Sequence, residues 1–174
     1  MVLSALFLAI SYLMPFLTGQ IPEVGAMLCP MHIPVLLCGY ICGPFWGLAV
    51  GIAAPIFRSL TLGMPPLFPT AVCMAFELCA YGAFAGFFHR ILPKKNAYIY
   101  VSLLGSMLLG RLVWGASMLV CMSVGKNAFT VGAFLTGAFA NAVPGIILQI
   151  VAVPVLVILW ENRKSSLGEN QTHS

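Results

Sequence analysis

The stretch AYIYVSLLGSMLLGRLVWGASMLVCM (97–122) decides the fold, because its 26 residues contain a single charged side chain, Arg111. A helix of that length spans about 39 Å, whereas about 20 apolar residues suffice to cross the hydrocarbon core of a bilayer. The rest of the chain is similar: of 174 residues, 61% are hydrophobic and 7% are charged. Soluble domains usually carry about 25% charged residues. The sequence therefore predicts an integral membrane protein.

Five further apolar runs are separated by proline, glycine and charged residues. They cover residues 2–18, 26–42, 45–60, 70–88 and 129–160. Together with 97–122 they predict an all-α bundle of six transmembrane helices over residues 1–160, followed by a polar cytoplasmic tail at 161–174. The second and third runs are short for a core of ~30 Å, so five spans is an alternative. The last run exceeds the core and must tilt, break near Asn141–Pro144 or begin outside the bilayer.

Basic residues predict the orientation of the six-span bundle. The chain has eight Lys and Arg residues against four Glu and no Asp. Lys and Arg are enriched in cytoplasmic loops. The loops on the side of both termini carry Arg90, Lys94, Lys95, Arg163 and Lys164. On the opposite side lies Lys126, with Arg58 close by. Both termini are therefore expected in the cytoplasm, and the basic excess does not indicate a nucleic-acid partner.

Three ionisable residues fall inside the predicted spans: Arg58, Glu77 and Arg111. Charges at membrane depth are costly and usually face a bundle interior or a water-filled cavity. Asn141 and Gln149 add uncharged polar groups. The three ionisable residues and Asn141 lie where one cavity opening outward could collect them. Glu77 and Arg111 can form either a purely structural pair or part of a ligand site. Since two cations outnumber one carboxylate, the cavity favours an anionic ligand.

The chain lacks the common motifs of enzymes and ATPases. It has no phosphate-binding loop, no His-Glu-x-x-His and no Gly-x-Ser-x-Gly. Six cysteines are scattered through apolar runs without metal-ligand spacing, and we interpret them as small buried side chains. We therefore expect no enzymatic activity, no cofactor and no metal. Active transport by this chain would need an ion gradient or another subunit.

Small residues recur at four-residue spacing in three runs. Ala5 and Ala9 share one face of the first helix, and Gly82 and Gly86 share one face of the fourth. Gly43, Gly47 and Gly51 form a longer series. Such faces allow helices to approach closely in lipid, where packing drives association. They predict close helix contacts within the bundle or with a partner.

Three stretches carry a resemblance to a known family. They are GQIPE (19–23) continuing to MHIPVLLCG (31–39), then GMPPLFPTA (63–71), and MAFEL (74–78). With these stretches the chain resembles the substrate-binding S components of energy-coupling factor (ECF) transporters, the bacterial vitamin importers, from about residue 2 to 159. The resemblance implies a six-helix bundle in the bacterial cell membrane. It also implies a vitamin-like ligand bound at the outer side, under the outer loops.

The resemblance further implies partners and a site. In the family an Ala-x-x-x-Ala face on the first helix packs against a transmembrane T component, and two cytoplasmic ATPases supply energy; Ala5 and Ala9 match that face. The expected ligand shell comprises Glu23, His32, Arg58, Met64, Phe68, Glu77, Arg111 and Asn141. Pantothenate is the favoured ligand; a queuosine precursor, riboflavin, folate or a pyridoxine-type ligand remains open. The other functional alternatives are a stand-alone ion-coupled carrier and a small membrane enzyme acting on lipid.

Overall fold

Six helices account for nearly all of the chain that the computed structural model describes, which is residues 1–17, 30–63, 65–93, 96–124 and 143–171. The helices are α1 (Val2–Leu17), α2 (His32–Cys42), α3 (Pro44–Leu62), α4 (Val72–Ile91), α5 (Asn96–Val124) and α6 (Val143–Gln171). No strand occurs within these ranges. The prediction of an all-helical chain with six helices is confirmed for the described residues.

Four of these helices are long and apolar enough to cross a membrane. The qualifying segments are Pro44–Leu62, Leu67–Ile91, Ala97–Ser123 and Val143–Arg163. Helices α1 and α2 are also apolar but shorter. At 1.5 Å per residue, the 11 residues of α2 rise only about 16 Å, half of a ~30 Å core. The long run at 129–160 contributes a helix that begins at Val143, with Pro144 in its first turn, where proline is tolerated.

A single residue, Gly43, joins α2 to α3. Its φ of 100° lies in the left-handed region that favours glycine. A Cβ atom on Gly43 would also lie 2.5 Å from Nη2 of Arg90 in α4. The hairpin of α2 and α3 therefore turns without a loop, and its apex packs against the end of α4.

Helices α3 and α4 pack backbone against backbone. A Cβ atom on Gly47 would lie 2.5 Å from the carbonyl oxygen of Gly82, and one on Gly82 would meet the carbonyl of Gly47. A Cβ atom on Gly86 would lie 2.5 Å from the backbone nitrogen of Pro44. Since helices come this close only where both lack side chains, the close approach predicted from the glycine spacing is confirmed.

The bundle core draws buried residues from four helices, among them Leu36 (α2), Tyr81 (α4), Met107 (α5) and Val153 (α6). All four belong to one contiguous hydrophobic cluster. Dense packing of this kind holds the four helices in a fixed register.

Polar contacts close the bundle at the end where α2 stops and α4 ends. The imidazole Nε2 of His89 lies 3.2 Å from Oε1 of Glu161, which joins α4 to α6. The ring of Tyr40 packs edge-on against His89, and its hydroxyl donates to the carbonyl oxygen of Ile99 at 3.3 Å. His89 therefore has a structural role at this end of the bundle.

The cysteines in the described chain are free thiols within the apolar helices. Cys38 and Cys73 are buried, and Sγ of Cys73 lies 3.6 Å from Sγ of Cys121 near the other end of α4 and α5. This supports their interpretation as small side chains that pack between helices.

Candidate functional site

Three buried side chains from three helices form an ionic cluster, which we call the triad: His32, Glu77 and Arg111. Oε1 of Glu77 lies 3.0 Å from Nη1 of Arg111 and 3.5 Å from Nε2 of His32. The exposed fractions are 2% for His32, 2% for Glu77 and 7% for Arg111. The negative and positive charges thus offset each other where isolated charges would be expensive. The expected pairing of Glu77 with Arg111 is present, and His32 joins it.

Tyr81 packs against the triad residue His32. It follows Glu77 by one helical turn, and its ring stacks edge-on against His32 with centroids 5.1 Å apart. A Cβ atom on Gly110, the neighbour of Arg111, would lie 3.1 Å from the Tyr81 ring. Tyr81 therefore contacts α2 and α5 beside two triad residues. Sequence reasoning missed it, although its spacing of four from Glu77 places both on one face of α4.

Arg58 lies near the triad but has different surroundings. Its Nη1 lies 3.6 Å from Sδ of Met31, the residue before His32, and its Nε is buried without a hydrogen-bond partner among the described residues. No carboxylate of the described chain lies within 4 Å of Arg58. Arg58 is thus a half-buried cation at the edge of a charge-compensated cluster.

Gln149 is a further buried polar side chain, in the second turn of α6. It is 1% exposed, and neither its Oε1 nor its Nε2 has a hydrogen-bond partner among the described residues. It shares a four-residue spacing with buried Gly145, Val153 and Val157, which places it on the inward face of α6. We did not include Gln149 in the expected ligand shell, although an amide within an apolar face was the available signal.

The sequence matches the ECF transporter substrate-specific component family over residues 1–157. The chain belongs to this family. Searches among curated proteins and among solved structures find no match. Membership makes the chain an S component, a multi-pass membrane protein that binds a small-molecule substrate for a transporter rather than catalysing a reaction. It also implies that the S component works with ECF T and ATPase components.

Other residues of the expected ligand shell lie apart from the triad. Phe68 of the S component is 57% exposed, on the wide helical turn Leu67–Ala71 that leads into α4. The Ser59 hydroxyl donates to the Pro65 carbonyl oxygen at 2.7 Å, which ties this connection to the end of α3. Glu23, Met64 and Asn141 lie outside the described residues.

Ala5 and Ala9 of the S component lie on an exposed face of α1. They line an open apolar groove of about 370 Å³ between α1 and α3. The remaining lining residues are Leu8, Tyr12, Leu13 and Phe57. The rings of Tyr12 and Phe57, which both line this groove, pack edge-on with centroids 5.6 Å apart. Apolar grooves that expose small residues suit close contact with another helix.

Proposed function

We propose that this S component captures a small vitamin-like metabolite at the outer face of the bacterial cell membrane. It releases the ligand inside when coupled to a T component and two ATPases. The observation that carries this proposal is the triad: charged groups kept deep in an apolar bundle generally mark a ligand or ion pathway. Two buried polar groups without a hydrogen-bond partner among the described residues accompany it: the Nε of Arg58 and the side-chain amide of Gln149.

The proposed orientation has six spans and both termini in the cytoplasm. Helices α2, α4 and α6 begin at the end that holds the triad, and α5 runs in the opposite direction. The other end carries His89 and Arg90 in the last turn of α4, with Arg163 two residues after Glu161 in α6. Basic residues favour the cytoplasm, so the triad belongs to the outer half of the bundle.

The charge distribution favours a carboxylate ligand held by Arg58. Glu77 already offsets Arg111, so Arg58 is the guanidinium available to bind an anion bidentately. Pantothenate, which combines a carboxylate with hydroxyl and amide groups, is the best candidate. A queuosine precursor, riboflavin, folate or a pyridoxine-type ligand is the alternative. Phe68 and Met64 would cover the apolar part of the ligand, while Glu23 and Asn141 would add polar contacts.

The proposal is tested with the purified chain and a panel of these vitamins, by native mass spectrometry and thermal shift. One member should bind as a stoichiometric complex and raise the melting temperature. Uptake of that compound in proteoliposomes should require ATP, the T component and both ATPases. Undiminished uptake without those partners would instead indicate a stand-alone carrier.

Arg58→Met is expected to weaken binding of a carboxylate ligand by about 10- to 100-fold, since hydrogen bonds to charged groups contribute roughly 1.5–3 kcal/mol. Isothermal titration of the purified variant measures the change. Arg90→Met is the matched control, because Arg90 lies in the last turn of α4, at the end of the bundle opposite Arg58. This variant should bind the ligand like the wild type. Equal affinities for the Arg58 variant and the wild type would remove Arg58 from the proposed site.

Ala9→Leu is expected to abolish ATP-driven uptake while leaving ligand affinity within about two-fold of wild type. The larger side chain fills the groove on α1 and blocks close approach by a partner helix. Ala5→Leu should act in the same way. Ala116→Leu, an equivalent change at an exposed position of α5, is the control. Complex assembly is measured by co-purification with the T component; loss of ligand binding in the Ala9 variant would show that this face packs within the bundle.

A further inference from the structure

Gln149 is expensive to keep where it lies. Both polar atoms of its amide are fully buried and lack a hydrogen-bond partner within the described chain. Burial of an unsatisfied amide is unfavourable, and lipid offers it no alternative partner. A Leu or Met at this position would remove that cost. Packing within the protein therefore does not explain why an amide side chain stands at this position.

The register of the helices places Gln149 at the level of the triad. Gln149 precedes Glu161 by 12 residues in α6, and Glu77 precedes His89 by 12 residues in α4. The side chains of Glu161 and His89 lie 3.2 Å apart, and α4 and α6 run in the same direction, so Gln149 and Glu77 lie at the same level of the bundle. Four helices thus supply polar side chains at one level.

We infer that Gln149 recognises an amide of the ligand, accepting a hydrogen bond from the amide N–H and donating one to a neighbouring oxygen on the same edge of the ligand. A primary carboxamide, a ureide or an imide presents both groups itself, whereas a secondary amide, whose N–H and C=O point to opposite sides, needs an adjacent hydroxyl. This inference rests on the proposed function and specifies the substrate class for the same site. The side-chain amide of Gln149 offers an N–H donor and a C=O acceptor side by side, which no single hydroxyl or ammonium group matches.

The charges at this level favour a neutral group over an anion. Glu77 and Arg111 offset each other at 3.0 Å, and Gln149 is uncharged. A carboxylate placed here would face Glu77, whereas an amide adds no charge. The anionic end of the ligand belongs with Arg58, beside Met31. The structure thus divides the ligand into an anionic part near Arg58 and an amide part at Gln149.

The first test needs no ligand. Gln149→Met keeps the side-chain length and removes both polar atoms, so the melting temperature of the ligand-free variant should equal or exceed that of the wild type. Leu148→Met, at an exposed position of the same helix, is the matched control. A melting temperature several degrees below this control would show that the Gln149 amide is bonded within the protein, and would overturn the inference.

The second test uses two probes that differ only in the amide: pantothenate, and its ester analogue with oxygen in place of the amide N–H. Wild type should bind pantothenate more tightly, and Gln149→Met should lose this preference with about 10- to 100-fold weaker binding of pantothenate, as expected for two neutral hydrogen bonds. Unchanged affinity in the variant would overturn the inference.

The panel separates this inference from the proposed function. If the wild type instead binds pyridoxine, which has no amide, with equal affinity in Gln149→Met, the amide assignment is wrong and the S component role stands. If the wild type binds no panel member, the proposed ligand class fails. In that case the melting temperature of the ligand-free variant still decides whether Gln149 lacks an internal partner.

Discussion

Glu77→Gln should be among the most destabilising single substitutions in this S component, with an expected loss of about 3–5 kcal/mol. The variant keeps the shape of the side chain but removes the negative charge that lies 3.0 Å from Nη1 of Arg111. The Arg111 guanidinium, 7% exposed, would then be buried without its carboxylate. Membrane depth adds to this cost, since water cannot easily replace the lost partner.

The measurement is thermal unfolding of the purified variant in detergent, beside Glu161→Gln. Glu161 also forms an ion pair, with His89, but a third of its side chain is exposed. Exposed pairs contribute at most about 1 kcal/mol, so this control should change little. A Glu77→Gln protein as stable as the wild type would mean that the pair does not stabilise the fold.

The double variant Glu77→Gln/Arg111→Met separates the two roles of the pair. It removes both charges, so much of the stability lost in the single variant should return. If the double variant also binds ligand like the wild type, the pair only joins α4 to α5. Loss of ligand binding in a stable double variant would instead assign the pair to the ligand site.

Gly82→Leu is expected to cost at least about 3 kcal/mol and to yield little folded protein, because overpacking cannot be relieved by moving a side chain here. A Cβ atom on Gly82 would meet the carbonyl of Gly47 and lie 2.9 Å from its Cα, so α3 and α4 would have to separate. The yield of monodisperse protein in size-exclusion chromatography, together with its melting temperature, measures the effect.

Gly105→Ala provides the contrast for the α3–α4 contact. A Cβ atom on Gly105 would lie 3.3 Å from the ring of Phe88, which can shift. Alanine is favoured over glycine in a helix interior by about 1 kcal/mol, so this variant should be as stable as the wild type or more stable. Equal stability of the Gly82 and Gly105 variants would show that the close approach of α3 and α4 is not required.

Much of the fold could be predicted from the sequence, because an unpaired backbone polar group is very unfavourable in a lipid bilayer. Helix is one of only two backbone arrangements that satisfy every polar group in a bilayer, and prolines and glycines mark where helices end. Glu77 and Arg111 were found by the same logic, as charges inside apolar runs. The four-residue glycine spacing correctly predicted close packing.

The details of the site could not be predicted from the sequence, because they depend on contacts between helices. Arg58 and Arg111 look equivalent in sequence, but only Arg111 has Glu77 beside it. Tyr81 is an ordinary residue for a membrane helix until the register of the neighbouring helix is known. Likewise Ala5 and Ala9 were recognisable from their spacing, whereas the position of Phe57 on the opposite side of their groove was not.

The shortness of α2 has an electrical consequence. Its 11 residues place His32 about 16 Å from the proposed cytoplasmic end, roughly midway through a ~30 Å core. An anion that reaches this level from outside crosses about half of the membrane voltage, which opposes it by about 1 kcal/mol at 100 mV, inside negative. An energised cell therefore weakens the capture of an anionic group at this level, and a neutral group escapes this cost.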